Sequence, residues 1–157
     1  MPVSPTFRAI AERVNNWGRW GADDQRGTLN LVDEAARRRA AACVRTGKAF
    51  LLGLPLSEAE GIQAGIIPGR VNPSRSMVAV NEPLSPDPDW ICSSEDVVTM
   101  ALQAATHWDA LAHVSYGGRL YNGHPAGTVT EEGAARCGIE QVGPLVTRGV
   151  LLDVART

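Results

Sequence analysis

Two of the three histidines in this 157-residue chain lie six residues apart, with an aspartate between them. They belong to the segment Thr106-His107-Trp108-Asp109-Ala110-Leu111-Ala112-His113. Side chains alternate between faces along an extended backbone, so His107 and Asp109 are expected to point to the same side. An imidazole nitrogen beside a carboxylate oxygen provides two ligands for a divalent metal ion. His113 comes within reach if the chain turns after Asp109, and its imidazole would then be placed to carry protons beside a metal-activated water.

Simpler interpretations of the same residues stay open. A histidine and an aspartate two residues apart also occur by chance and then form a local hydrogen bond. Gln103, four residues before His107, is either a weak amide ligand or a polar residue at the end of a strand. His113 is either a proton carrier or a buried histidine that hydrogen-bonds a backbone carbonyl. His124 lies beside Pro125 in a turn-rich stretch and is predicted to be exposed to solvent.

Aromatic side chains near the motif are candidates for binding a substrate. Trp17 and Trp20 lie in a predicted loop over residues 15–30 that is rich in Gly, Asn and Asp. Tryptophans in a polar loop usually pack on something, here the protein's own core, a second subunit or a substrate. Trp108 offers a third apolar wall. Tyr121 and Asn122 follow His113 and either orient a polar substrate or close a turn.

The composition indicates one soluble globular domain and excludes several classes of function. The net charge of −2 gives no basic surface for nucleic acid. The three cysteines are widely spaced without a C-x-x-C pair, which disfavours a disulfide framework and a thiolate zinc site. The sequence lacks both a membrane-spanning apolar stretch and a signal-peptide pattern at the N-terminus. We therefore expect a cytoplasmic protein without membrane or nucleic-acid partners.

The pattern of apolar residues and helix caps predicts an α/β fold. Ser4 and Pro5 are typical of a helix start, and Asp33 is expected to cap a second helix over residues 34–46. A long loop is predicted over residues 57–75. Apolar runs predict strands over residues 49–52, 77–80, 97–102 and 149–154, and a short helix is predicted over residues 131–136. Residues 1–48 then form a helical and loop extension, and residues 49–157 form the sheet-forming part with the metal motif.

The segment from Gln103 to His113, followed by Tyr121-Asn122-Gly123, resembles the metal-dependent cyclase family. This family includes bacterial kynurenine formamidases, isatin hydrolase and trans-dienelactone hydrolase. Its signature is H-x-x-x-H-x-D-x-x-x-H, commonly with Gly-Thr before the second histidine. Residues 16–24, 27–30 and 148–153 are similar to the longer members, so the resemblance covers nearly the whole chain.

The resemblance implies a role for each residue of the motif. His107 and Asp109 would bind Zn²⁺ or Mn²⁺, and His113 would donate and accept the proton. Gln103 stands where the family has its first ligand histidine, and a neutral amide is the poorer ligand, so a metal ion would be lost or held loosely. Ala105 replaces the usual glycine. The implied fold is a swivelling α/β/β barrel-like domain, often dimeric.

Family members are typically longer than this chain and supply a further His and Glu from their C-terminal half. The chain therefore resembles the N-terminal half of such an enzyme, and we expect a complementary C-terminal chain as partner in a homo- or hetero-oligomer. The expected activity is metal-dependent hydrolysis of a small amide, aryl formamide or lactone. A metal-dependent cyclase or lyase and a non-catalytic structural or binding subunit are the alternatives.

Overall fold

The computed structural model describes residues 3–60, 64–65, 67–87 and 89–156. The chain divides into two compact units, which we call unit 1 (Met1–Lys48 and Asp109–Thr157) and unit 2 (Ala49–Trp108). The described residues form a mixed α/β fold with two small antiparallel sheets. In chain order, its helices and strands are α1 (Pro5–Val14), α2 (Glu34–Ala41), β1 (Ser74–Pro83), β2 (Cys92–Thr99), β3 (Val129–Thr130) and β4 (Gly133–Ala134).

Helix α1 begins where the sequence predicts. The Ser4 hydroxyl accepts a hydrogen bond from the Phe7 amide at 3.1 Å, and Pro5 occupies the first helical turn. Such a cap satisfies a backbone donor that the helix leaves unpaired. The Phe7 ring meets the Tyr116 ring edge to face, with 5.6 Å between the ring centroids.

Helix α2 also begins at its predicted cap, but it ends earlier than predicted. The Asp33 carboxylate accepts the Ala36 amide at 2.7 Å. The helix stops at Ala41 instead of continuing to residue 46. The amides of Cys43 and Val44 donate to the carbonyls three residues before them, as in a 3₁₀ turn, and not four residues before them, as in an α-helix.

Unit 2 contains one long antiparallel hairpin. Strands β1 and β2 pair from Ser74↔Thr99 to Pro83↔Cys92, with two register shifts along β1. The predicted strand over residues 77–80 is confirmed within β1. The strand predicted over residues 97–102 begins earlier, at Cys92, and ends at Thr99.

Three predicted elements are wrong. Residues 49–52 and 149–154 do not pair as strands in the described part of the chain, and their side chains are exposed, with Leu51 at 94% and Leu151 at 88%. An apolar run predicts burial in a sheet, but a strand forms only where a neighbouring strand accepts its hydrogen bonds. The predicted helix over residues 131–136 is instead part of the β3–β4 hairpin, in which Gly133 adopts a φ of +119° that a helix excludes.

The core of unit 1 lies behind the segment that carries His113. Ala112, Leu120 and Cys137 are buried together, and Ala110, Tyr121 and Ala134 pack against them. This small cluster includes Ala110 and Ala112, the chain neighbours of Asp109 and His113.

Candidate functional site

Asp109 and His113 form a hydrogen-bonded pair in unit 1. The His113 Nδ1 atom lies 2.9 Å from the Asp109 Oδ1 atom, and both side chains are about half exposed. A carboxylate accepts here, so the contact places the proton on Nδ1 and makes Nε2 the nitrogen that can accept another proton. The turn after Asp109 that the sequence reasoning required is therefore present.

A short 3₁₀ turn, Leu111–His113, brings the two side chains together. The His113 amide donates to the Ala110 carbonyl at 3.1 Å, which closes the turn. Ala112 points into the core, and its amide donates to the Cys137 carbonyl at 3.0 Å. A buried residue at the middle of the turn leaves its neighbours on the outer side, where Asp109 and His113 meet solvent.

His107 belongs to unit 2 and has a feature typical of metal-binding histidines. Its Nδ1 atom lies 3.3 Å from the Ala105 carbonyl oxygen, and its side chain is exposed. A carbonyl only accepts, so the contact favours the tautomer with the proton on Nδ1 and the lone pair on Nε2. Metal-ligating histidines commonly donate their second ring N–H in this way. The residue before it is also anchored, because the Thr106 hydroxyl accepts the Leu54 amide at 3.0 Å.

Ala105 has a left-handed backbone conformation, with φ +49°. Glycine reaches this region without a steric penalty, whereas a Cβ atom makes it costly by about 1–2 kcal/mol. Ala105 therefore replaces the glycine of the family signature at a position where glycine would avoid a steric cost.

Gln103 and Trp108 complete the unit 2 part of the motif. Gln103 is partly buried, and its backbone carbonyl accepts a hydrogen bond from the Arg70 guanidinium at 3.2 Å. Trp108 is exposed.

The donor chemistry of the motif fits part of a metal site. Imidazole and carboxylate are ligand types that Zn²⁺ and Mn²⁺ bind, and an amide oxygen is a weaker third. Across the described ranges, no three or more His, Cys, Asp and Glu side chains come together as a group that could hold a metal ion. A complete site on these donors therefore needs further ligands.

A second polar centre in unit 1, built around Asp24, was missed by the sequence reasoning. The Asp24 carboxylate accepts hydrogen bonds from the Tyr121 hydroxyl at 2.8 Å and from the Asn30 amide at 2.7 Å. The backbone amides of Arg26 and Gly27 donate to it as well. The sequence signal for this centre was Asp24 followed within six residues by Gly27 and Asn30, since such residues are typical of loops with internal hydrogen bonds.

Asn122 clamps the same loop by its side chain. Its Oδ1 atom accepts the Gly18 amide at 2.7 Å, and its Nδ2 atom donates to the carbonyls of Gly21, Ala22 and Asp24 at 2.9–3.0 Å. Asn122 itself has φ +60°, a conformation that asparagine tolerates better than most residues.

His124 is partly buried, contrary to the prediction that it is an exposed loop residue. Its Nε2 atom lies 3.2 Å from the Asp24 carbonyl oxygen, so it joins the same cluster of hydrogen bonds. A single sequence could not reveal this contact, because the two residues are 100 positions apart.

The environment of this centre shifts three pKa values. Burial raises the pKa of Asp24, but its four hydrogen bonds outweigh burial and hold the pKa below the usual value. Burial and the hydrogen bond to Asp24 raise the pKa of Tyr121 to about 12. Burial also raises the pKa of the Cys137 thiol.

Trp17 and Trp20 lie in the loop that Asp24 and Asn122 hold. Trp17 lines a cavity of about 560 Å³ in unit 1, together with Arg8, Tyr116 and Arg119. The Trp20 ring carries the Arg19 guanidinium on its face, 4.8 Å from the ring centroid. Trp17 is thus placed to contact a small molecule, and Trp20 packs within its own loop.

Comparison with known proteins identifies the family. The cyclase family model matches residues 52–157, about two thirds of the chain. A crystal structure described as that of a novel cyclase superimposes on 82% of this chain with a TM-score of 0.72 and 36% sequence identity. The chain belongs to the cyclase family, which confirms the resemblance of its motif.

The chain spans 44% of the length of that solved cyclase. No curated protein matches the chain. In the part of the chain that the structure describes, no helix has both the length and the apolar character needed to cross a membrane.

Proposed function

We propose that this chain contributes a half-site to a metal-dependent hydrolase that acts on a small amide, aryl formamide or lactone. The observation that carries the proposal is the hydrogen bond of 2.9 Å between His113 and Asp109. It joins the side chain proposed to move the proton to a carboxylate proposed to hold the metal ion. Membership of the cyclase family makes an enzyme the first expectation.

In this proposal, His107 and Asp109 hold Zn²⁺ or Mn²⁺, and Gln103 contributes at most a weak ligand. The chemistry that the ion supplies when bound is Lewis-acid polarisation of a carbonyl group and activation of water. The Nδ1 contact of His107 with the Ala105 carbonyl supports its assignment as a ligand through Nε2.

His113 takes the role of general base and then general acid. Its Nδ1–H is held by Asp109, so Nε2 would accept a proton from the attacking water and return it to the leaving group.

The substrate is proposed to be small and at least partly apolar. The cavity that Trp17 lines, about 560 Å³, is of the size that small-molecule sites usually have. Trp20 and Trp108 remain candidates for further apolar contacts, whereas Tyr121 and Asn122 would act by holding the loop that carries Trp17.

We propose a complementary polypeptide as a partner, in a homo- or hetero-oligomer of swivelling α/β/β domains. Phe50, Leu51 and Leu52 in unit 2, and Val150, Leu151 and Leu152 in unit 1, are all exposed. Runs of exposed apolar side chains are typical of surfaces that another chain covers.

One observation favours a non-catalytic structural or binding subunit as a second candidate. Gln103 stands at the position of the family's first ligand histidine, and its amide is a poorer ligand than imidazole. A chain that holds no metal ion would keep the fold and lose the reaction.

The proposal is tested by native mass spectrometry and metal analysis of the purified protein together with whatever copurifies. We expect bound zinc or manganese, and at least a tenfold weaker affinity in His107→Ala and in Asp109→Ala. Gln103→His should tighten binding, because it restores an imidazole. His124→Gln, which alters the third histidine, should leave the metal affinity unchanged.

Activity should then be measured on an aryl formamide and a lactone. Hydrolysed products support the hydrolase, and cyclised or eliminated products support a cyclase or lyase. Absence of metal, or equal metal content in the wild type and in His107→Ala, contradicts both the hydrolase and the cyclase or lyase. It favours the non-catalytic subunit.

A further inference from the structure

Two consecutive hydrogen bonds join the loop at residue 25 to the turn that carries His113. The Gln25 side-chain oxygen accepts the Cys137 amide at 2.8 Å. The Cys137 carbonyl in turn accepts the Ala112 amide at 3.0 Å, one residue before His113. All of these residues belong to unit 1. The Cys137 backbone therefore links the Gln25 side chain to the turn that carries the Asp109–His113 pair.

Cys137 needs such support because of its conformation. It is 1% exposed and has φ +60°, a left-handed region that is unfavourable for a residue with a Cβ. A buried amide without an acceptor is also unfavourable. In this conformation the Cys137 amide faces Gln25 while its carbonyl faces Ala112, so the Gln25 oxygen stabilises the orientation that the Ala112 contact requires.

The neighbouring hydrogen bonds do not replace this one. The Cys137 thiol makes only a long contact of 3.9 Å with the Tyr121 carbonyl. The Tyr121 hydroxyl donates its hydrogen bond to the Asp24 carboxylate. Loss of the Gln25 oxygen would leave the Cys137 amide without the acceptor that the structure gives it, and the residue could relax towards negative φ and turn its carbonyl away from Ala112.

We propose that Gln25 is a positioning residue for the Asp109–His113 pair and acts through the backbone of Cys137. The inference rests on the proposed function for the catalytic role of the pair. Its geometric part, the control of the Ala112 amide by a side chain 87 positions away in the sequence, does not depend on any activity.

The test compares Gln25→Met, which keeps the length and removes the acceptor, with Gln25→Glu, which restores an acceptor oxygen. Hydrogen exchange of individual amides is measured by NMR in each variant, and kcat and KM are measured on whichever of the aryl formamide and the lactone the wild type hydrolyses. Gln25→Met should exchange the Ala112 amide about tenfold faster, in line with the loss of one buried hydrogen bond. The Arg37 amide in α2 should be unaffected, and Gln25→Glu should recover most of the protection.

In the same variants, kcat should fall about tenfold in Gln25→Met while KM stays within about twofold, since a misplaced proton carrier impairs the transition state more than binding. Gln141→Ala is the matched control, because the Gln141 side chain bonds its neighbour Glu140 at the surface. If Gln25→Met does not fold, Gln25→Asn, which withdraws the amide by one methylene, makes the same comparison.

Unchanged exchange of Ala112 in a folded Gln25→Met protein overturns the inference. Faster exchange of Ala112 with unchanged kcat overturns the positioning role. Equal acceleration of the Arg37 amide shows a global loss of stability and also counts against it. A wild type that hydrolyses nothing contradicts the proposed function separately, because the exchange rates still report whether Gln25 controls the turn.

Discussion

Removal of one hydroxyl group, in Tyr121→Phe, tests the polar centre around Asp24. The Tyr121 hydroxyl donates to the Asp24 carboxylate at 2.8 Å in a partly buried environment. Hydrogen bonds to charged groups contribute about 1.5–3 kcal/mol. The variant keeps the aromatic ring against the core and keeps the other three donors of Asp24. We therefore expect a loss of roughly 2 kcal/mol in the free energy of unfolding at pH 7.

The pKa of Tyr121 predicts how this stabilisation depends on pH. Folding raises the pKa of Tyr121 from its ordinary value of 10.0 to about 12, so the folded state holds the proton more tightly than the unfolded state. The contribution is fully present below pH 10 and is lost as the pH rises from 10 towards 12.

The assay is urea denaturation followed by tryptophan fluorescence, from pH 7 to pH 11.5. The difference between the wild type and Tyr121→Phe should be constant up to pH 10 and then shrink. The Cys137 thiol, whose pKa burial raises, is present in both proteins. Tyr116→Phe is the matched control, because Tyr116 is the other tyrosine of the chain and its exposed ring packs on Phe7.

Three results would refute this reasoning. A loss below about 0.5 kcal/mol in Tyr121→Phe at pH 7 would show that water replaces the hydroxyl group without cost. A difference from the wild type that stays constant up to pH 11.5 would show that burial and the bond to Asp24 do not raise the Tyr121 pKa on folding. Equal losses in Tyr121→Phe and Tyr116→Phe would show that the loss does not come specifically from the bond to Asp24.

Two further substitutions test backbone conformations. Asn122→Ala should lower the free energy of unfolding by about 3–5 kcal/mol, since it removes four hydrogen bonds and leaves a Cβ without compensation at φ +60°. Asn122→Gly should cost about 1 kcal/mol less, because glycine adopts this φ freely. Equal losses in the two variants by urea denaturation would contradict a backbone contribution. Ala105→Gly should raise the stability of unit 2 by about 1 kcal/mol, because glycine adopts φ +49° freely. Hydrogen exchange of the amides in residues 100–107 should then be slower. Faster exchange in these residues would contradict the prediction.

Hydrogen bonds within one turn were predictable from the sequence. The caps at Ser4 and Asp33 act over three residues, so the local sequence is enough to place the helix starts. The contact between Asp109 and His113 is of the same kind, because a spacing of four residues brings the side chains together once the chain turns. The cyclase family followed from that spacing and from the residue types in it.

Contacts between distant residues were not predictable in the same way. Tyr121 and Asn122 were expected to face a substrate or close a turn, and the structure shows what they bond: a loop about 100 positions earlier in the chain. Gln25 reaches Cys137 across 112 positions. Nothing in either local segment indicates such a partner, since the same amides and carboxylates could equally bond water.

The sequence by itself determined the family, the helix starts and the residue types of the motif, because each depends on side chains a few positions apart. Tertiary structure decided whether apolar runs become strands and which residues hold the turn that contains His113. Residues 149–154 have the composition of a buried strand and remain exposed, since burial and pairing depend on a neighbour that the run cannot specify. The turn at His113 is held by Cys137 and Gln25, whose approach depends on how the chain folds back on itself.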